Sequence, residues 1–136
     1  MWLFTIYGFF SIACANHRDG SIDKETVMVR ARDAGHLRKL QIRFPSMASA
    51  EIRHSPVWDY AYRIIVPKQI WIAALIEMAE EQDWSNFKNK VAVQQGMIDG
   101  LEYSRALHDV WRIVNRLQTR RPKLKMGSGT KLPPSY

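Results

Sequence analysis

The stretch from Trp2 to Ala15 constrains the fold more than any other. It reads Trp-Leu-Phe-Thr-Ile-Tyr-Gly-Phe-Phe-Ser-Ile-Ala-Cys-Ala and carries no charge. Aromatic and β-branched residues favour a strand. Apolar side chains at both odd and even positions predict a strand covered on both faces, and so a central place in a sheet. The run ends in Ala13-Cys14-Ala15, which mimics a signal-cleavage site, but it lacks the positive n-region of a signal peptide. It is also shorter than the ~20 residues a membrane span needs. The expectation is a strand in a cytoplasmic protein without membrane contact.

The rest of the chain supplies partners for that strand. Asn16–Glu25 is polar and holds Asp19-Gly20-Ser21, a turn signal. Thr26–Arg32 alternates, with Val27, Val29 and Ala31 on one face and Met28, Arg30 and Arg32 on the other, which predicts a hairpin with a long loop. Asp33 can cap a helix that places Leu37, Leu40 and Phe44 on one side, and Pro45 ends it. Ala50–Ser55 reads as a short strand and Tyr60–Val66 as a strong one. Pro67 suits the first turn of a helix over Lys68–Gln82, with Ile70, Ala74, Leu75 and Met78 inward. Asp83–Val93 continues as a second helical piece capped by Asp83 or Ser85, broken by Gly96 and Gly100. In Leu101–Thr119, Tyr103, Leu107, Val110, Val114 and Leu117 recur at helical spacing. This order predicts an α+β two-layer sandwich. Its antiparallel sheet has about four strands in ββαββα order, with helices on one face and an additional C-terminal helix. The stripe on that last helix serves either the core or a homodimer.

Charge divides the chain. Its 20 Lys+Arg and 13 Asp+Glu give a formal net charge of +7. Residues 1–111 hold 13 basic and 13 acidic residues, so the excess lies wholly after Trp111. A single domain over 1–119 and a basic, disordered tail over 120–136 are expected. In the tail, Arg120, Arg121, Lys123 and Lys125 form a patch suited to sequence-independent phosphate contacts, or one that merely solubilises.

No P-loop, G-x-G-x-x-G, H-E-x-x-H or G-x-S-x-G motif is present. One cysteine, Cys14, forbids an internal disulfide or a multi-cysteine zinc site, and no two histidines have ligand spacing. No cofactor, metal site or catalytic set is implied. His108 and Asp109 are adjacent on a helix, where they point about 100° apart and cannot hold one another. The chemistry-bearing candidates are arginines. Arg30 and Arg32 share one strand face, and Arg63 can join them across the sheet beside aromatics of the first strand. Guanidinium forks bind phosphate and aromatic faces stack bases. The competing reading is that these arginines are solvated or pair with Glu25, Asp33, Glu51 and Asp59. A second candidate is Asn86 and Lys88 in Asp83-Trp84-Ser85-Asn86-Phe87-Lys88, near a helix N-terminus that favours anions. The alternative there is a structural cap with Trp84 and Phe87 as anchors.

Five motifs occur in order: Trp2-Leu3-Phe4-Thr5 with Gly8-Phe9-Phe10-Ser11, Val29-Arg30-Ala31-Arg32, Tyr60-Ala61-Tyr62-Arg63-Ile64, Asp83–Lys88, and Leu107-His108-Asp109-Val110-Trp111. Over about residues 1–115 the chain resembles a family of small uncharacterised proteins of bacteria and their phages. That resemblance implies a cytosolic protein beginning at Met1, and it transfers no chemistry. Two functions fit these features. One is a non-enzymatic protein that binds a nucleotide or nucleic acid through the arginine-bearing sheet face. The other is a protein-interaction module, such as a phage-type inhibitor of a host defence protein.

Overall fold

In the computed structural model, which describes residues 1–95 and 100–118, the apolar run Trp2–Ala15 is two strands rather than one. Strand β1 is Trp2–Thr5 and β2 is Gly8–Asn16. Thr5 pairs with Gly8, which leaves Ile6-Tyr7 as a two-residue turn. Three features make the turn. Gly8 adopts φ 151°, a region that L side chains rarely enter. A Cβ there would lie 2.2 Å from Cγ of His36, so the close approach also needs glycine. Thr5 Oγ1 accepts the N–H groups of Tyr7 and Gly8, each at 3.1 Å.

The turn is buried, with Ile6 at 6% and Tyr7 at 8% exposure. Buried backbone needs hydrogen-bond partners, and distant side chains provide them. The Ile6 carbonyl accepts from Gln95 Nε2 at 2.5 Å, and the Thr5 carbonyl accepts from the Tyr103 hydroxyl at 2.9 Å. The Tyr7 hydroxyl donates to Glu81 at 2.6 Å.

Strands β3 (Ile22–Ala31), β4 (Arg53–His54) and β5 (Tyr62–Pro67) complete one sheet of order β1-β2-β3-β5-β4. All four pairings are antiparallel. Among the described residues the fold is α+β as expected, with five strands in βββαββα order in place of four in ββαββα order, because the first run folds as a hairpin. The central strand is β3, while the start of the run expected at the centre forms the β1 edge. The first loop turns at Gly20, φ 85°.

Helices α1 (Ala34–Arg43) and α2 (Lys68–Glu80) pack on one face of the sheet. Asp33 caps α1 by accepting the Gly35 N–H at 2.7 Å, and Phe44 before Pro45 ends it. Leu37, Leu40 and Phe44 are buried against Phe10, Ile12, Val27, Val29, Ala31, Ile64 and Val66. On α2 the deepest residues are Trp71 and Ala74, and Ile70, Leu75 and Met78 are half-buried. Helix α3 (Phe87–Gln95) starts later than expected, because Asn86 rather than Asp83 or Ser85 supplies its cap: Asn86 Oδ1 accepts the Asn89 N–H at 3.1 Å. Helix α4 (Gly100–Val114) runs into a short 3-10 turn, Asn115–Leu117. Of its predicted stripe, Tyr103 and Leu107 are buried, whereas Val114 and Leu117 are exposed. Residues Arg120, Arg121, Lys123 and Lys125, and the break at Gly96, lie outside the described residues.

Candidate ligand site on the open sheet face

Alternation along β3 and β5 decides which side chains leave the core. Val27, Val29 and Ala31 face the helices, as do Ile64 and Val66. Met28, Arg30, Arg63 and Ile65 lie on the other face and are all partly exposed. Register then aligns one row across all five strands. Trp2 opposes Ser11, Ser11 opposes Arg30, Arg30 opposes Arg63, and Arg63 opposes Arg53. Three arginines on adjacent strands end in an exposed tryptophan at the far edge.

Each guanidinium is held differently. Arg30 donates to the Ser11 carbonyl at 3.3 Å and to Ser11 Oγ at 2.8 Å, and its Cζ lies 5.1 Å from the Tyr60 ring centre. Arg63 lies 3.5 Å from the Trp58 ring centre, within cation–π range, and one of its terminal nitrogens sits 3.6 Å from the Met28 sulfur. Its Nε is buried with no hydrogen-bond partner. Burial first, and then the Arg30 charge, push the Arg63 pKa below its ordinary value. Arg32 lies past the end of β3 and is exposed. It binds the Asp59 carbonyl at 2.7 Å and the Asp59 carboxylate at 3.1 Å, over the Tyr60 ring at 4.4 Å. Of the four acids considered as partners, Asp59 alone is ion-paired with one of these arginines among the described residues. Neither Arg30 nor Arg63 has a carboxylate partner there.

The second candidate sits elsewhere. Asn86 spends its amide oxygen on the α3 cap. Lys88 Nζ stands 5.1 Å from the Trp111 ring centre and 3.5 Å from His108 Nδ1. Asn86, Lys88 and Trp111 line a groove between α3 and α4, and the structure does not join them to the arginine row. Asp83 pairs with Lys90 at 2.8 Å and Asp109 pairs with Arg112.

Sequence reasoning missed three contributors. Trp58 and Tyr60 come from the loop before β5 and supply the rings under the arginines. Their signal in the sequence is the aromatic pair flanking Asp59, just before and at the start of the expected strand Tyr60–Val66. The third is an aromatic cavity of about 420 Å³ between the β1–β2 end of this face and α4. Phe4 and Phe9 stack there at 4.5 Å, and Trp2 meets Phe9 edge-on at 5.9 Å. Among the described residues, no group of three His, Cys, Asp or Glu is placed to hold a metal ion, and no helix is long and apolar enough to cross a membrane.

Comparison of the chain with protein-family models, with curated proteins and with solved structures finds no match. Any functional reading therefore rests on the side chains themselves.

Proposed function

We propose that this is a non-enzymatic binding protein that takes a phosphate-rich ligand, a nucleotide or nucleic acid, on the arginine row of its open sheet face. The observation that carries this reading is the pair Arg30 and Arg63, set opposite each other with no carboxylate partner among the described residues. Both side chains are partly buried, where an uncompensated charge costs more than at a fully exposed position, although residues 1–111 hold as many acids as bases. An anion placed between the two would relieve their repulsion and supply the acceptors they lack. Ser11 fixes one guanidinium and Trp58 the other, so both are oriented before a ligand arrives. Arg53, exposed on β4, extends the row. The residues of the basic tail would add affinity without specificity.

Titration of fluorescent oligonucleotides and nucleotides at rising salt tests the reading. Affinity should fall steeply with salt, and Arg30→Ala or Arg63→Ala should each weaken binding roughly tenfold or more. Parent-like binding by both variants refutes it.

One observation favours the protein-interaction reading for a different surface. Trp111, Ile113, Val114 and Leu117 on α4 and the following turn are 59%, 58%, 52% and 82% exposed. Such a stripe would suit the docking of a second copy or a host protein. Light scattering that returns the monomer mass at high concentration excludes the homodimer, and an empty pull-down counts against a host partner.

A further inference from the structure

Resting on the arginine-row reading, we infer that the ligand presents an unpaired nucleobase, which seats in the aromatic cavity beside the arginines and is read there by Glu102. The cavity, at about 420 Å³, falls within the roughly 300–1,000 Å³ of small-molecule sites. Its form suits a flat ring. Phe4 and Phe9 lie nearly parallel, 17° apart, and make a platform. Trp2 stands at 89° to Phe9 and makes a wall that is 69% exposed, open to an incoming ring. Tyr103 closes the far side from α4.

Tyr60 joins cavity and arginines. Its ring is 6.2 Å from Phe9 and 5.1 Å from the Arg30 guanidinium. A base in the cavity and its phosphate on the guanidinium would therefore lie to either side of Tyr60, which is itself buried at 5% exposure and acts as the spacer between them. A paired base cannot enter, since its faces are stacked and its edge is engaged in the duplex. A single strand offers both.

Glu102, in the first turn of α4, lines the cavity and has no hydrogen-bond or ion-pair partner among the described residues. A carboxylate only accepts hydrogen bonds. It therefore favours base edges with an amino donor, such as cytosine or adenine, over uracil or thymine, whose edges are dominated by carbonyls. Asp33 also borders the cavity, but one of its oxygens is committed to the α1 cap.

The test uses the full chain and four probes: a labelled oligocytidine, an oligouridine of equal length, a duplex of that length, and inorganic polyphosphate as a base-free anion. Oligocytidine should bind about tenfold or more tighter than duplex or polyphosphate, in line with the worth of one stacked base. Running the first two probes as RNA and as DNA separates the two sources of the same base. Trp2→Ala, at an exposed position, should weaken the oligonucleotides about fivefold or more and leave polyphosphate unchanged. Phe9→Ala should do the same where circular dichroism shows it folded. Glu102→Gln should shrink the cytidine-over-uridine preference. Equal binding of all four probes overturns the base site and leaves the phosphate reading standing. Parent-like oligonucleotide binding by Trp2→Ala and Glu102→Gln overturns it too. Failure of every probe to bind removes both.

Discussion

Arg30 and Arg63 stand opposite each other on β3 and β5, and the Arg63 Nε between Trp58 and the sheet has no hydrogen-bond partner. Like charges directly opposite on a sheet cost about 0.2–1 kcal/mol, and an unpartnered buried donor costs about 1–3 kcal/mol. The stack on Trp58 returns about 0.5–1 kcal/mol. The pair is thus a local cost to stability held at a position suited to an anion. Arg63→Met keeps an unbranched apolar stem and removes the guanidinium and its charge. It should raise the unfolding free energy by about 1 kcal/mol while weakening phosphate-ligand binding. Urea denaturation and binding titration on one preparation read both. A clear loss of stability instead would make Arg63 a structural anchor.

Gly8 and His36 give a prediction of opposite sign. Gly8→Ala brings a Cβ to 2.2 Å from the His36 ring at a backbone angle that alanine resists. The expected cost is about 2 kcal/mol or more. Gly8→Ala combined with His36→Ala should recover part of it, because the clash goes and the strained φ remains. A double-mutant cycle from chemical denaturation measures the coupling. An additive cycle would mean the ring moves aside at no cost.

His36 also sets a pH dependence. Its Nδ1 accepts the Phe9 N–H at 3.3 Å, so protonation there breaks a hydrogen bond beside the hairpin turn. Burial first, and the Lys39 charge after it, lower its pKa below the ordinary 6.5, while Asp33 pulls the other way. The folded state therefore binds this proton less readily than the unfolded state. The stability contributed is present above about pH 6.5 and is lost as pH falls through the lowered folded value, at no more than about 1.4 kcal/mol per pH unit. His36→Asn, which keeps an acceptor near Nδ1, should flatten that part of the stability profile. A profile with unchanged slope would assign it to other groups.

The pattern of strands and helices was largely legible in the sequence, and the misses share a cause. Alternation placed Val27, Val29 and Ala31 inward and Arg30 outward, because only one face of β3 is covered. The first hairpin was hidden because its turn, Ile6-Tyr7, is buried by Gln95, Tyr103 and Glu81, which lie far along the chain. A buried turn has apolar residues and so reads as strand. Gly8 and Thr5 were the local clues. The arginine row was half legible. Periodicity gives the face of each residue, but the alignment of Trp2, Ser11, Arg30, Arg63 and Arg53 depends on register across nonconsecutive strands. The cavity was not legible at all, since Trp2, Tyr60 and Glu102 meet only through tertiary packing.

Asn86 and Lys88 separate a structural role from a ligand role within one motif. Asn86 Oδ1 accepts the Asn89 N–H and caps α3, whose neighbour Trp84 packs near Phe87 at 6.4 Å. Loss of such a cap costs about 1 kcal/mol, which lowers the melting temperature by a few degrees at this chain length. Asn86→Ala should therefore show that loss with unchanged binding to the arginine row. Asn86→Asp or Asn86→Ser should restore the stability, because each keeps an acceptor at the cap. Lys88 stands over Trp111 at a partly exposed site, so Lys88→Ala should change stability by less than about 1 kcal/mol. Thermal unfolding and salt-dependent titration of the three caps and the lysine variant check the set. Weakened phosphate binding in Asn86→Ala that Asn86→Ser does not rescue would move this motif from the scaffold into the site.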